Sequence, residues 1–215
     1  MIPNQQNLHD SLRQALLARD RSAVKSMLQE LRQTETPLTI IDTLITPVLE
    51  GIGVSWEEGS IALSQVYMSG RLCEDMIPAL LSLDTETTHA NAPPIGIAVL
   101  HDHHVLGKRI VYSVLTALGY RLHDYGHGIE VTPLVERVLQ DKVRLLLVST
   151  LMLPSALLVR DLSSRLKAEC PEIKIIVGGA PFRFDEQLWS VVGADAMGRT
   201  ASDAISLVRK FSTTA

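Results

Sequence analysis

The 215-residue chain has only two cysteines, Cys73 and Cys170, and neither belongs to a CxxC pair. That excludes a disulfide framework and gives no sign of a thiolate zinc site; both thiols are expected to be buried. A basic excess is also missing. The net charge is −4 and the pI near 6.0, whereas a nucleic-acid surface calls for clustered positive charge. No apolar run approaches the roughly 20 residues that span a bilayer. The polar start, Met1-Ile2-Pro3-Asn4-Gln5-Gln6-Asn7, lacks the apolar core of a signal peptide. Internal repeats and low-complexity tracts are absent. The expectation is a cytoplasmic protein that binds neither nucleic acid nor membrane. What the chain does have is 46 % hydrophobic and 20 % charged residues, enough to bury a core in one large domain or two modest ones.

The first part reads as helical. Leu8, Leu12, Ala15 and Leu16 recur at helical spacing, and Asp20 caps a second helix carrying Val24, Met27, Leu28 and Leu31. Thr36-Pro37 is an N-cap with proline at the first helical position. It opens a helix with Ile40, Ile41, Leu44, Ile45 and Val48 on one broad apolar face. Gly51 and Gly53 are expected to interrupt this pattern and leave Trp56-Glu57-Glu58-Gly59 in a short segment. A further helix is expected over 60–83, with Leu63, Val66, Met68, Leu72, Met76 and Leu80. Residues 1–84 therefore predict a four-helix-type domain in which Trp56 is either core or exposed for a purpose. The threonine-rich stretch 85–94 ends in Pro93-Pro94 and reads as a linker.

From residue 95 the pattern alternates. Strands are expected at 95–100, 120–124, 143–149, 173–177 and 194–197. Helices are expected at 105–117, from Thr132-Pro133 through Leu139, and at 156–167, 184–191 and 202–211. Gly119 ends the first of these helices, and Gly126-His127-Gly128 reads as a turn. The run 143–149 is apolar throughout, as in a strand buried on both faces. Five strands alternating with helices predict an α/β domain over 95–215, a doubly wound parallel sheet of Rossmann or flavodoxin type.

Ligands gather at the carboxyl ends of such strands. Where a dinucleotide fold would carry a glycine-rich phosphate loop, this chain has Asp102-His103-His104-Val105-Leu106-Gly107. Side chains alternate along an extended segment, so Asp102 and His104 share one side. A carboxylate on one imidazole nitrogen makes the other a better metal ligand. The third strand ends in Ser149-Thr150-Leu151 with Ser155 beyond it, and the fourth in Gly178-Gly179, where no Cβ hinders a bulky ligand. The run His101-Asp102-His103-His104 has no second cluster to complete a hydrolytic metal site. His123 and His127 read as loop residues near the rim.

Asp102, His104 and Gly107 match D-x-H-x-x-G, Ser149 and Leu151 match S-x-L, and Gly178-Gly179 matches a glycine pair. Together these resemble the cobalamin-binding domains of methionine synthase and of corrinoid methyltransferase systems, over about residues 95–211. The resemblance implies a base-off, His-on cobalamin, carried as methylcobalamin or a related corrinoid. His104 would be the cobalt ligand, with Asp102 on the far side of its ring and Ser155 continuing a hydroxyl relay. Gly107 would let the helix start, and His103 and Val105 would neighbour the corrin. The displaced nucleotide tail would lie beside Ser149, Leu151, Gly178 and Gly179. The family also carries a helical cap, and Trp56, Gly59 and Leu63 fall at its matching positions, so Trp56 and Leu63 would cover the upper face. The family often has proline where Ser64 stands, and a later Asp-Ala where Thr200-Ala201 stands.

On this resemblance the chain is a corrinoid methyl carrier, using Co(I) and methyl-Co(III) to shuttle a methyl group between a substrate methyltransferase and an acceptor methyltransferase. A corrinoid-reactivating protein would be a third partner, and the chain would hold no complete catalytic site of its own. The alternative is a cobalamin-dependent sensor acting through a partner. Light-sensing relatives carry a Glu-His pair after the cap tryptophan, where this chain has Gln65-Val66-Tyr67. A mutase small subunit is a third reading, but it would lack the helical cap.

Overall fold

Side-chain caps mark two of the helix starts in the first part of the chain. The computed structural model describes residues 5–80 and 94–212, so the expected linker at 85–94 lies, Pro94 apart, outside the described residues. The chain divides into two compact units, Met1–Ser82 and Leu83–Ala215. In the first, α1 spans Gln5–Leu17 and α2 Arg21–Leu31, with the Asp20 carboxylate accepting the Ala23 N–H at 2.9 Å. Thr36 caps α3, Pro37–Ile40, through the Thr39 N–H at 3.2 Å. The helix then continues through a π-helical turn, Ile41–Ile45, into α4, Thr46–Glu57, and α5 spans Leu63–Leu80.

Gly51 and Gly53 do not break this helix, and Trp56 lies in its last turn. A glycine costs about 1 kcal/mol in a helix interior. Val48 and Ile52, both buried, offset that cost at about 1.5–3 kcal/mol for each side chain. The expected short segment at Trp56 is therefore a helix end, and α5 starts at Leu63, where Gln65 Oε1 accepts the Ala62 N–H at 3.0 Å. The reading of Trp56 as core also fails, since 44 % of it is exposed.

Contrary to expectation, the continuous helix contains a 20-residue apolar stretch, Pro37–Trp56, of mean hydropathy 1.4. Among the described residues it is the one helix long and apolar enough to cross a membrane by length and composition. It carries Asp42 and Glu50, and its Ile40, Ile41, Leu44, Ile45, Val48 and Ile52 are buried. Helix α4 packs against α1 and α5, so the buried residues of the apolar stretch belong to the core of this unit.

The second unit is a five-stranded parallel sheet in the order β2-β1-β3-β4-β5. The strands are β1 Ile95–Leu100, β2 Leu122–Ile129, β3 Leu145–Ser149, β4 Lys174–Gly178 and β5 Ala196–Gly198. Between and after them run α6 Leu106–Ala117, α7 Val131–Gln140, α8 Leu153–Glu169, α9 Ala180–Phe184, α10 Leu188–Val191 and α11 Ala201–Ser212. All six residues of β1 are buried, as befits a strand covered on both faces. Ala98, Leu100, Leu146, Val148, Ile175 and Val177 pack with α7 and α8 in one layer. Helices α6 and α11 pack on each other and on the sheet. This is the doubly wound α/β fold that the strand and helix pattern predicts.

Two elements differ from the sequence pattern in ways that matter. Gly126-His127-Gly128 is not a turn but part of β2. The register runs Ile97 to Asp124, Val99 to His127 and Leu100 to Ile129, so β2 carries extra residues opposite β1. Gly126 at φ +85° and Gly128 at φ +65° absorb them as bulges. The helix expected over 184–191 is instead two short ones. Helix α9 follows Gly179 directly, and at Asp185 the backbone becomes extended, with its side chain accepting the Gln187 N–H at 2.9 Å.

Both cysteines are free and buried. Burial, with Glu74 beside it, pushes the Cys73 thiol up to about 12.

Candidate functional site

In the order 2-1-3-4-5, the chain leaves β1 toward β2 on one side and reaches β3 on the other. The carboxyl ends of β1 and β3 therefore form the topological switch point at which open α/β sheets bind ligands. Asp102 staples the two ends together. It is only 6 % exposed. Its Oδ1 accepts the His104 N–H at 2.9 Å, and its Oδ2 accepts the Leu151 N–H at 2.9 Å and the Met152 N–H at 3.5 Å. Removing such a buried acceptor leaves N–H groups unsatisfied, at about 1–3 kcal/mol each.

The His104 side chain is 55 % exposed, with Nδ1 3.5 Å from Asp102 Oδ1. That separation is close approach rather than a formed hydrogen bond; the carboxylate holds the backbone of His104, and the ring stands beside it. Its Nε2 has no partner among the described residues. No hydrogen bond joins Asp102 to Ser155 among the described residues either. Ser155 is buried in the first turn of α8. Val105 is the N-cap residue of α6 and offers no side-chain cap. Gly107 lies inside α6 rather than forming the turn before it, and a Cβ there would sit 3.4 Å from Ser149 Oγ.

His101, His103, His123 and His127 each have a partner, and His123 and His127 lie within β2 rather than in a loop. His103 Nδ1 lies 3.0 Å from His127 Nδ1, with the rings edge to face at 5.2 Å. His101 has the left-handed φ of +55° and places Nε2 3.3 Å from Glu130 Oε1. His123, within β2, places Nδ1 3.2 Å from Asp141 Oδ2.

On the β3–β4 side the site is built from backbone. Ser149 pairs with Val99 and with Gly178, and Gly178 with Gly198. A Cβ on Gly178 would lie 3.2 Å from Gly198 O. One on Gly179, at φ +120°, would lie 1.7 Å from Thr150 O. Leu151, Met152 and Leu153 are exposed beside this bare backbone. Two members of the group are not singled out by the sequence pattern. Gly198 could have been found, because it closes β5 as Gly178 closes β4. Thr150 could not: its buried Oγ1 has no hydrogen-bond partner, which only the packed structure shows. Across the described residues, no group of three or more His, Cys, Asp or Glu side chains is arranged to hold a metal ion.

Trp56 and Leu63 belong to the helical unit, at the end of α4 and the start of α5. They are 44 % and 60 % exposed. Val54, Tyr67 and Met68 are exposed as well, so the exposed large apolar side chains described in this unit all fall between residues 54 and 68.

A solvent-facing imidazole, a carboxylate holding its backbone, and side-chain-free backbone at the switch point fit a bulky ligand that takes an imidazole nitrogen and lies close against backbone. These features define the α/β unit as a cofactor-binding domain of the flavodoxin-like order. A family model described as B12 binding domain matches residues 93–208, and a second model of the same description matches residues 8–81. The chain belongs to the B12-binding domain family and is a corrinoid-binding protein.

Its relatives include dimethylamine corrinoid protein 1 of Methanosarcina mazei, 26 % identical over 98 % of each chain. Another is the corrinoid protein DSY3155 of Desulfitobacterium hafniense, 29 % identical over 95 % of this chain and 97 % of that one. The solved structure of the Methanosarcina barkeri monomethylamine corrinoid protein superposes with a TM-score of 0.80 at 27 % identity, covering 96 % of this chain and 99 % of that one.

Proposed function

We propose that this protein is a corrinoid methyl carrier, taking a methyl group from a substrate methyltransferase and delivering it to an acceptor methyltransferase, with a corrinoid-reactivating protein as a further partner. The observation that carries the reading is the His104 ring, exposed at the β1–β3 switch point with Nε2 open, in a chain matched along nearly its whole length by methylamine corrinoid proteins. When bound, the corrinoid supplies the cobalt on which a methyl group rides. The protein supplies ligation, access and exclusion of water.

In this reading His104 would hold the cobalt through its imidazole, and the cofactor would be bound base-off. Asp102 fixes the His104 backbone and so the direction from which the ring approaches. Ser149, Leu151, Gly178 and Gly179 line the cleft for the displaced tail, with Ser155 behind them; His103, Val105 and Gly107 shape the edge next to His104. Trp56 and Leu63 are assigned to the upper face, where apolar cover keeps water from the reactive group. Residues 1–84 form the cap, 85–94 the linker and 95–215 the cobalamin-binding domain. The sensor reading is the weaker one: Gln65-Val66-Tyr67 offers no histidine for the upper face, and relatives matched over nearly their whole length include proteins named as dimethylamine and monomethylamine corrinoid proteins.

His104→Ala should still bind cobalamin but with a shifted visible absorption spectrum; an unchanged spectrum removes His104 from its role. For the carrier role itself, protein loaded with methylcobalamin is mixed with candidate methyltransferases and a thiol or tetrahydrofolate acceptor. Demethylation by a partner supports the carrier. Failure with every partner, together with a light-dependent change in oligomeric state, overturns it.

A further inference from the structure

We infer that His103, His127 and Gly128 form a lock that fixes the loop carrying His104, which makes them positioning residues for the ligating imidazole. The inference rests on the reading of His104 as the axial ligand.

The loop between β1 and α6 has no regular structure of its own, and His101 within it sits at a left-handed φ of +55°, a conformation uncommon for residues with a Cβ and one that histidine is among the few to visit. Three supports hold the loop. Asp102 ties the loop to the end of β3, as described above. The bulged half of β2 holds its backbone: the His101 N–H donates to Ile129 O at 3.0 Å, and the Gly128 N–H donates to Asp102 O at 2.7 Å. The third support is the His103 ring, which makes its 3.0 Å contact with His127 directly over Gly128. A Cβ at residue 128 would lie 2.4 Å from His103 Cε1, 3.0 Å from Nδ1 and 3.3 Å from Nε2. The ring occupies the space that any other residue at 128 would fill, so His103 and Gly128 are matched to each other.

The bulge is itself anchored. Lys108, buried one residue after Gly107, places Nζ 2.6 Å from Asp124 Oδ1 and 3.3 Å from Gly126 O. Helix α6 therefore holds the bulge that presents His127, and His127 holds His103. His104 is the next residue along, so a held His103 ring restrains the stretch of backbone from which the His104 side chain projects, beside the Asp102 carboxylate that accepts the His104 N–H. A ligand whose support is rigid keeps its geometry when the metal arrives.

The test is a double-mutant cycle on full-length protein reconstituted with cobalamin. Gly128→Asn keeps a residue that tolerates positive φ while placing a Cβ against the His103 ring. His103→Ala removes the ring, and His127→Phe keeps an aromatic ring without its nitrogens. The readouts are cobalamin affinity, the fraction ligated by imidazole (from absorption and from axial-nitrogen splitting in the Co(II) paramagnetic resonance spectrum), and amide hydrogen exchange of His104 in the cobalamin-free protein. Gly128→Asn and His103→Ala should each weaken affinity roughly tenfold, as loss of an outer support of a metal ligand does. They should also lower the imidazole-ligated fraction and speed exchange at His104. The double variant should match His103→Ala alone, because the clash disappears with the ring. His127→Phe should act in the same direction by a smaller factor.

If these variants keep wild-type affinity, spectra and exchange while His104→Ala changes the spectrum, the lock fails and the ligand assignment stands. If His104→Ala also leaves the spectrum unchanged, the assignment fails and the lock with it. Additive effects in the double variant overturn the steric match between His103 and Gly128.

Discussion

In the sheet unit, Asp102 is buried and both its carboxylate oxygens serve backbone N–H groups on two strand ends. Gly179 presses so closely on Thr150 that no side chain fits. In the helical unit, Trp56 and Leu63 stand in water, and no hydrogen bond or ion pair among the described residues holds either side chain. The sheet residues are preorganised by contacts the fold itself requires. The helical residues forgo the roughly 25 cal/mol per Å² that burying their apolar surface would return, and an uncovered Trp-Leu pair collects that gain only when something covers it. Damage to the first region is therefore damage to the fold, whereas on the proposed reading damage to the second shows mainly when the ligand is bound.

The strongest way to break this contrast is Gly179→Ala. Its Cβ would meet Thr150 O at 1.7 Å at a φ of +120°, so the variant should lose about 3 kcal/mol or more of stability by urea unfolding and most cobalamin binding with it. Near-normal stability would show that the backbone at this end of β4 yields easily, and the preorganisation of the sheet residues would fall.

A smaller effect is expected at Asp195, which lies in the sheet unit but away from the switch point. Burial alone would raise its pKa. The Ile175 N–H and the ammonium groups of Lys167 and Lys174 outweigh burial and hold the carboxyl below its ordinary 3.8. A carboxyl lowered in the folded state contributes stability that is present above its unfolded value and lost as pH falls through the folded one. Urea midpoints should therefore decline as pH drops below about 3.8. Asp195→Asn should flatten that decline and cost about 2 kcal/mol at neutral pH, the scale of hydrogen bonds to a charged group. Its cobalamin spectrum should stay as in the unaltered protein, since the residue supports the sheet and not the site.

The smallest stability effect sharpens the contrast. Trp56→Ala should cost the ligand-free protein about 1 kcal/mol, because the ring is partly covered, and well short of the roughly 3–5 kcal/mol that truncating a buried Trp costs. In methylcobalamin-loaded protein, however, it should speed loss of the methyl group to water or light. A large stability loss without ligand would return Trp56 to the core.

Where residues were legible from sequence, neighbours along the chain were enough. The apolar run of β1, the Asp20 and Thr36 caps and the position of the last helix follow from local spacing, and each stands where that spacing puts it. So does the placement of Asp102 and His104 at a strand end. Gly51 and Gly53 misled, because a helix carried by Val48 and Ile52 in its core tolerates glycines that an isolated helix would not. Gly126-His127-Gly128 misled for a related reason: glycine at positive φ serves a turn and a bulge equally well, and the choice depends on the strand alongside.

Residue identity and short-range periodicity are enough to set the order of helices and strands, the switch-point position of the histidine loop and the chemistry of its side chains. That Asp102 holds backbone N–H groups beyond the end of β3, that Gly198 faces Gly178, and that His103 leans on His127 over Gly128 come from the packed fold alone. Those contacts depend on the register between strands distant along the chain, and register is set by packing of the whole sheet rather than by any one segment.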